Sequence, residues 1–277
     1  MIRKYDNAND MLAAVGPALE KAEAENNLML GILLGNNPSG LYLSVINNGT
    51  IALAAVMTPG QRIVIRRFGN YRAPEVMQML TDYLLENDIA PPGVLAVQED
   101  AALFSLLYAG RYAAAVNSAM KMRSFKLDTV QFGADLPGTL SVADDVYAGL
   151  LADRLYAMGK EANVNDNRAN AVAGAEKAIA DGRAFLLMDG GKIVSSAVSI
   201  RYTKNGAAVG GVYTPPEYRK RGYATSLVAK MSGYLLEQGR SFCTLYTDLA
   251  NPTSNSIYAR IGYERLEDFE AYDFIKE

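Results

Sequence analysis

Ala207-Ala208-Val209-Gly210-Gly211-Val212-Tyr213, then Thr214-Pro215-Pro216, then Arg219-Lys220-Arg221-Gly222-Tyr223-Ala224: this run decides the fold. The first segment reads as a strand. After the basic turn, Ala224, Leu227, Val228, Met231 and Leu235 recur at i, i+3, i+4, i+7 and i+11, the spacing of one buried helix face. A basic, glycine-containing turn that opens a helix is an anion site, because the first N–H groups have no intrahelical acceptor and the helix dipole favours negative charge. Gly222 lets a phosphate approach the backbone, and small Ala224 keeps the first turn uncrowded. A phosphorylated cofactor is the expected ligand.

Working outward, Gly210 and Gly211 weaken the strand before the turn, which suggests a bulge or a ligand lying against the backbone. Thr214-Pro215-Pro216 ends regular pairing, since neither proline has an N–H to donate. A splayed strand of this kind leaves peptide groups for an amide-bearing ligand; the plainer reading is a strand end. Downstream, a strand at Phe242–Tyr246 leads to Asn251-Pro252, an N-cap followed by proline at the first helical position. Gly262 ends that helix. Capping explains Asn251 and Gly262, but not why Ser254 and Tyr258 stand four residues apart on one side. For Tyr258 the plainer alternative is a core tyrosine.

The 277-residue length favours two domains. Half the residues are hydrophobic, a fifth are charged and the net charge is −3, with a pI near 5.3, so a nucleic-acid-binding surface is not expected. There is no histidine and only one cysteine, Cys243, which removes histidine-based catalytic triads, histidine-ligated metals and a cysteine zinc cluster. Cys243 reads as buried structure and no metal is expected. No apolar run reaches the roughly 20 residues of a membrane span, and Met1–Asp6 lacks a signal-peptide segment, which points to a cytoplasmic protein without a membrane partner.

The first half reads as a helix near Ala8–Ala24 and short apolar runs at Leu28–Leu34, Leu41–Ile46, Ile51–Met57 and Ile63–Ile65. A helix near Pro74–Glu86, a strand at Val94–Val97, a helix near Asp100–Ala109 and a strand over Ala113–Leu127 follow. Turn formers Gly133, Pro137 and Gly138 mark a linker, taken as 128–140 between domains 1–127 and 141–277. Beyond it one helix carries Val142, Val146, Leu150, Leu151, Leu155 and Met158, and a second covers Asn167–Ala180. Strands Ala184–Met188 and Ile193–Ile200 flank Asp189-Gly190-Gly191, and Tyr263–Leu266 and Ala271–Ile275 supply the last strands. The halves echo each other: Val45-Ile46-Asn47-Asn48-Gly49-Thr50-Ile51 matches Leu187-Met188-Asp189-Gly190-Gly191-Lys192-Ile193 in pattern, as a duplication would produce.

The stretch Val212–Ile261 resembles the GNAT superfamily of acyl-CoA-dependent N-acyltransferases. Arg219, Gly222 and Ala224 match its phosphate-binding signature, and Asn251, Tyr258 and Gly262-Tyr263 match its later one. The resemblance covers about the last 100 residues well and implies an α/β (α+β) fold of two GNAT-like domains, each a mixed, mostly antiparallel sheet flanked by helices. It implies that backbone groups near Val212, Tyr213 and Thr214 bind a pantetheine arm, and that the turn Arg219, Lys220, Arg221, Gly222, Tyr223, Ala224 and Thr225 holds the pyrophosphate of acetyl-CoA. Asn251 would contact the cofactor's arm. Tyr258 would be the general acid that protonates the leaving thiolate, a role that suits a phenol of ordinary pKa near 10. The acceptor would be a primary amine of a small molecule or aminoacyl compound.

The chain departs from many members in having no glutamate on the 207–213 strand; Glu217, Asp248 or ordered water would have to act as base. In the first half, Arg66-Arg67-Phe68-Gly69-Asn70-Tyr71 stands where the phosphate turn should fall and lacks its spacing, so that half reads as a degenerate copy packing against the active one. Alternatives are a tandem acyltransferase that builds a thiol metabolite or uses aminoacyl-tRNA, with the acidic pI against tRNA, and a non-catalytic acyl-CoA sensor. A homodimer is left open.

Overall fold

The computed structural model describes residues 1–69, 71–112, 114–131, 136–162 and 167–276. Ala113, Asn70 and Gly133, with the rest of 132–135 in the expected linker, lie outside them. By its contacts the chain divides into two units. The first comprises Met1–Ser124, Thr247–Ala250 and Leu266–Glu277; the second comprises Phe125–Tyr246 and Asn251–Arg265. The cut therefore differs from 127/141: described residues from Phe125 onward group with the second unit, and most of the strand at the end of the sequence groups with the first.

The first unit runs β1 (Ile2–Lys4), α1 (Ala8–Leu19), α2 (Asn27–Leu34), β2 (Leu41–Asn47), β3 (Thr50–Met57), β4 (Ile63–Arg67), α3 (Ala73–Glu86), β5 (Gly93–Val97), α4 (Gln98–Tyr112) and most of β6 (Ala114–Leu127). The second runs β7 (Thr139–Val142), α5 (Ala148–Glu161), α6 (Arg168–Ala180), β8 (Ala184–Asp189), β9 (Lys192–Tyr202), β10 (Gly206–Tyr213), α7 (Tyr223–Glu237), most of β11 (Phe242–Asp248) and α8 (Pro252–Ile261). β12 (Glu264–Lys276) closes the chain. No helix among the described residues is long and apolar enough to cross a membrane.

The two units repeat one design. In each, a hairpin turns on two consecutive left-handed residues: Asn48 (φ +49) and Gly49 (φ +76) join β2 to β3, while Gly190 (φ +53) and Gly191 (φ +74) join β8 to β9. Such turns match the natural twist of an antiparallel pair. Both hairpins also slip register at the equivalent step, between Val45 and Ile46 and between Leu187 and Met188. In each unit three antiparallel pairings precede one parallel pairing, β4 with β5 and β10 with β11.

Helices cover both faces of each sheet. In the second unit Leu227, Val228 and Met231 of α7 and Ile261 of α8 pack with Phe185, Leu187, Val209 and Leu245. On the other face Leu151 and Ala152 of α5 and Ala175 and Ile179 of α6 pack with Leu186 and Val198. A fully buried leucine contributes about 2 kcal/mol relative to exposure, so these faces set the fold. In the first unit α3 and α4 cover one face through Val76, Leu80, Phe104 and Tyr108, and α1 and α2 cover the other through Met11, Val15, Leu30 and Leu33.

Three expectations are corrected. Leu28–Leu34, read as a run like the strands after it, is helix α2, whose Met29, Leu30 and Leu33 are buried. Val142 and Val146 are not part of that helix: Val142 pairs with Phe185 in β7–β8, and Val146, 79% exposed, lies in a separate 3-10 turn, Asp145–Tyr147, before α5 begins. The two final strands are one, β12, and its Phe269–Asp273 pairs antiparallel with Val97–Gly93 of β5. Phe274 then joins an aromatic cluster with Phe104 and Tyr108 at centroid distances of 6.2 and 5.0 Å. A Cβ at Gly93 would collide with the Tyr272 carbonyl, a backbone atom that cannot move aside. Gly93→Ala is therefore expected to lower stability by about 1–3 kcal/mol, read by urea denaturation; unchanged stability would contradict the β5–β12 pairing.

Candidate functional site

The site is built where β10 and β11 part. Their parallel ladder runs from Gly206–Phe242 to Val209–Leu245 and stops, although both strands continue. On its other side β10 slips register against β9 between Gly210 and Tyr213. Gly211 sits in that bulge at φ +58, and a Cβ on it would lie 2.8 Å from Leu155 Cδ2 and 2.9 Å from Val198 Cγ2. Of the two expected reasons for Gly210-Gly211, bulge and ligand approach, the bulge is what the packing displays.

The released end of β10 is fastened elsewhere. The Ser195 hydroxyl donates to Tyr213 O at 3.0 Å and lies 2.8 Å from Thr214 Oγ1. Arg219 Nε donates to Thr214 O at 2.9 Å, and Arg219 Nη2 donates to both carboxylate oxygens of Glu161 at 2.8 Å. Glu161 raises the Arg219 pKa, and burial followed by Glu161 raises that of Tyr213, whose hydroxyl lies 3.3 Å from the same carboxylate. The Arg219 guanidinium is thus engaged in tying the strand end to α5. Sequence reading missed Glu161 and Ser195; neither carries a local signal, since their roles arise only when α5 and β9 meet β10.

The basic turn lies as expected at the start of α7. Gly222 caps the helix at φ +80, ψ 0, without a side-chain capping bond. Its carbonyl accepts the Ser226 N–H at 2.9 Å, so Tyr223, Ala224 and Thr225 offer N–H groups that have no intrahelical acceptor. The space beside Gly222 is open: a Cβ there would meet only Pro137 Cγ, at 4.0 Å. Lys220, also left-handed at φ +63, and Arg221 are exposed beside it. Ser226 Oγ donates to Pro137 O at 2.5 Å, Lys230 Nζ to Gly138 O at 2.6 Å, and the Tyr223 hydroxyl to Asp189 at 2.5 Å. The hydrogen bond to Asp189 raises the Tyr223 pKa. The free amides of Tyr223, Ala224 and Thr225, the exposed cations and the open cradle fit a pyrophosphate.

On α8, Asn251 Oδ1 accepts the Ser254 N–H at 3.1 Å, and Asn251 O accepts from Asn255 Nδ2 at 2.8 Å, so capping occupies Asn251. Gly262 ends the helix at φ +106. Tyr258 is 9% exposed, with its ring 6.3 Å from Phe125 and 6.0 Å from Tyr263. Burial pushes its phenol up to about 12, against a lowering by the hydrogen bond with Ser254. The core reading of Tyr258 is therefore met, and its hydroxyl end is the part with a polar neighbour. Cys243 is buried, with its thiol pushed up to about 12 by burial, which suits structure and not attack. Of the two carboxylates considered as base, Glu217 is exposed on a short turn, Pro216–Tyr218, and Asp248 groups with the first unit.

In the first unit the equivalent place is closed. β4 and β5 pair only at Ile63–Val94 and Val64–Leu95. Arg66 bonds Glu267 at 2.5 Å and Arg67 bonds the buried Asp100 at 2.8 Å. The helix that follows is capped by Arg72 in extended conformation and has proline in its first turn, which removes one N–H donor.

Residues 189–272 match the family described as FR47-like protein. An aminoglycoside N(6')-acetyltransferase type 1 from Serratia marcescens is 31% identical over 87 residues, which are 29% of this chain and 60% of that protein. Across the whole chain, the fold matches a GCN5-related N-acetyltransferase from Sphaerobacter thermophilus (14% identical, TM-score 0.67, covering 100% of this chain and 96% of that one) and a GNAT-family acetyltransferase from Colwellia psychrerythraea (12%, 0.63, 100% of both). It also matches a tandem GNAT protein from the clavulanic acid biosynthesis pathway (15%, 0.57, covering 98% and 97%). The fold is that of the GNAT acetyltransferases. It has their tandem form, with the FR47-like segment in the second half.

Both Tyr258 and Tyr263 are raised by burial, Tyr263 well above the ordinary value. Unfolding releases phenols that ionise near pH 10. The stability gained by keeping Tyr258 protonated is thus full below pH 10 and is lost as pH rises through about 12. Tyr258→Phe is expected to flatten the fall in stability over that interval, measured by denaturation at stepped alkaline pH; an unchanged slope would contradict the burial of its hydroxyl.

Proposed function

We propose that this protein is an acetyl-CoA-dependent N-acetyltransferase acting on a primary amine of a small molecule or aminoacyl compound. The observation that carries this reading is the pairing of two features: strands that part after Val209 and Leu245, and a helix that begins at left-handed Gly222 with three N–H groups to spare. The pyrophosphate binds the amides of Tyr223, Ala224 and Thr225 beside Lys220 and Arg221. The pantetheine arm runs along Val212, Tyr213 and Thr214, and Asn251 stands at the start of α8 beside it.

In the reaction, the neutral amine nitrogen attacks the acetyl carbonyl and forms the C–N bond, and the C–S bond breaks. The departing sulfur takes the proton of Tyr258, and the new amide nitrogen loses its extra proton to Glu217 or water. A phenol pushed up to about 12 by burial stays protonated throughout the working range, and it is a weaker acid than an ordinary phenol near 10. The burial of Tyr258 favours one second reading, an acyl-CoA sensor in which this tyrosine only packs.

Calorimetry with acetyl-CoA and thiol release with an amine panel separate the two. The relative's name makes amino-sugar amines a natural first set. Tyr258→Phe is expected to leave acetyl-CoA affinity near that of the parent and to lower kcat about 100-fold, the lower end of general acid–base contributions. Lost binding in that variant would refute the acid role, and binding without turnover by the parent would favour the sensor. Gly222→Val, which imposes a β-branched side chain on a left-handed residue in the cradle, is expected to abolish acetyl-CoA binding in a protein that still folds. Unimpaired binding would sink the phosphate-turn assignment.

A further inference from the structure

Arg154 is a cation where α5 should be apolar. It stands among Leu151, Leu155 and Met158 on the helix and is only 7% exposed. Its Nη2 donates to Ile193 O at 2.6 Å. Its Nη1 is buried without a hydrogen-bond partner, and no carboxylate among the described residues forms an ion pair with it. Glu217, Tyr218 and Tyr213 act on it electrostatically, while burial lowers its pKa. Arginine nonetheless stays charged, and a buried charge without a partner costs several kcal/mol.

A second group without a partner shares its surroundings. Ser196 is fully buried, and its hydroxyl makes no hydrogen bond. Ser196 pairs across the sheet with Leu186 on one side and Tyr213 on the other, so the three side chains share a face. Leu186 packs with α5 and α6, and the Tyr213 hydroxyl reaches Glu161 at the end of α5. The spare donor of Arg154 and the spare hydroxyl of Ser196 therefore belong to the α5 side of the β10 end. Tyr258 and α7 pack on the opposite face.

We propose that the acceptor is an amine that also carries a carboxylate, as an α-amino acid does, and that Arg154 Nη1 and the Ser196 hydroxyl bind that carboxylate. This rests on the proposed function: with the coenzyme phosphates at α7 and the thioester passing between β10 and β11, the acceptor reaches the carbonyl from the α5 face. Glu217 and Tyr218 act on Arg154 electrostatically, so the turn that carries them borders the proposed carboxylate site. A charge-assisted pair in a dry setting is strong and selective.

The test compares L-amino acids with the amines that lack only the carboxylate, such as L-lysine with cadaverine and L-tyrosine with tyramine, by kcat/KM with acetyl-CoA. At least one acid should exceed its matched amine by about tenfold to a hundredfold. Arg154→Met should bring that ratio close to one, Arg154→Lys should retain part of it, and Ser196→Ala should lower it severalfold. Amines acetylated as well as the acids, acetylation of none of the acids, or a ratio that survives Arg154→Met would each overturn the proposal. Should Arg154→Met fail to fold, the parent's ratio and the Ser196→Ala change decide. Acetyl-CoA binding is measured in the same samples: binding without discrimination overturns this inference alone, and absence of binding overturns the proposed function with it.

Discussion

Gly211 is the constraint on which the second unit's chemistry depends. Its left-handed backbone and the nearness of Leu155 and Val198 leave no room for a side chain, and they hold a bulge at the point where β10 would otherwise continue beside β11. A regular ladder there would use the peptide groups of Val212 and Tyr213 in sheet pairing. With the bulge, the strand end is pinned by Ser195 and by the Arg219–Glu161 pair. The cost of a bulge and of a left-handed backbone is modest with glycine and would be larger with any other residue. Packing on the α5 face holds the bulge at this one spot.

The two units show what distinguishes an open site from a closed one on the same design. Both begin with the same hairpin and both end a parallel pairing early. In the second, exposed cations stand beside unsatisfied amides at Gly222. In the first, Arg66 and Arg67 are neutralised by Glu267 and Asp100, and a proline occupies the helix start. Charge that is already paired cannot recruit an anion at full strength, because the existing pair must first be broken. The difference lies in a few side chains and one missing N–H, not in topology.

Much of this could be read in the chain because local chemistry dictates it. The turns at Asn48-Gly49 and Gly190-Gly191 demand left-handed residues, and the stripe Leu227, Val228, Met231 and Leu235 fits only a helix. Errors arose where local pattern was ambiguous. Leu28–Leu34 is apolar nearly throughout, so its period does not tell strand from helix, and packing beneath β2 and β3 decides. Val142 and Val146 extend the spacing of α5 backwards by coincidence, while pairing with β8 claims Val142. The charges Glu267 and Asp268 look like a break in a strand until Arg66 and Arg123 are seen to meet them. Arg154 had a visible signal that was passed over: a charged residue inside the apolar stripe of Leu151, Leu155 and Met158.

The place of β12 has a consequence for how the chain comes into being. The strand that flanks β5 in the first unit, with Phe274 in that unit's aromatic cluster, is synthesised only after the second unit. Tandem domains ordinarily fold in the order in which they leave the ribosome, each complete before the next emerges. Here the first unit must wait, with one edge of β5 uncovered, until β12 has been synthesised after the whole second unit. The first unit is therefore completed by β12, through a contact between distant parts of the sequence and at the pace such contacts impose. The nascent chain carries an exposed strand edge from the synthesis of β5 to that of β12, which makes the growing polypeptide, more than the folded protein, the species at risk of aggregation.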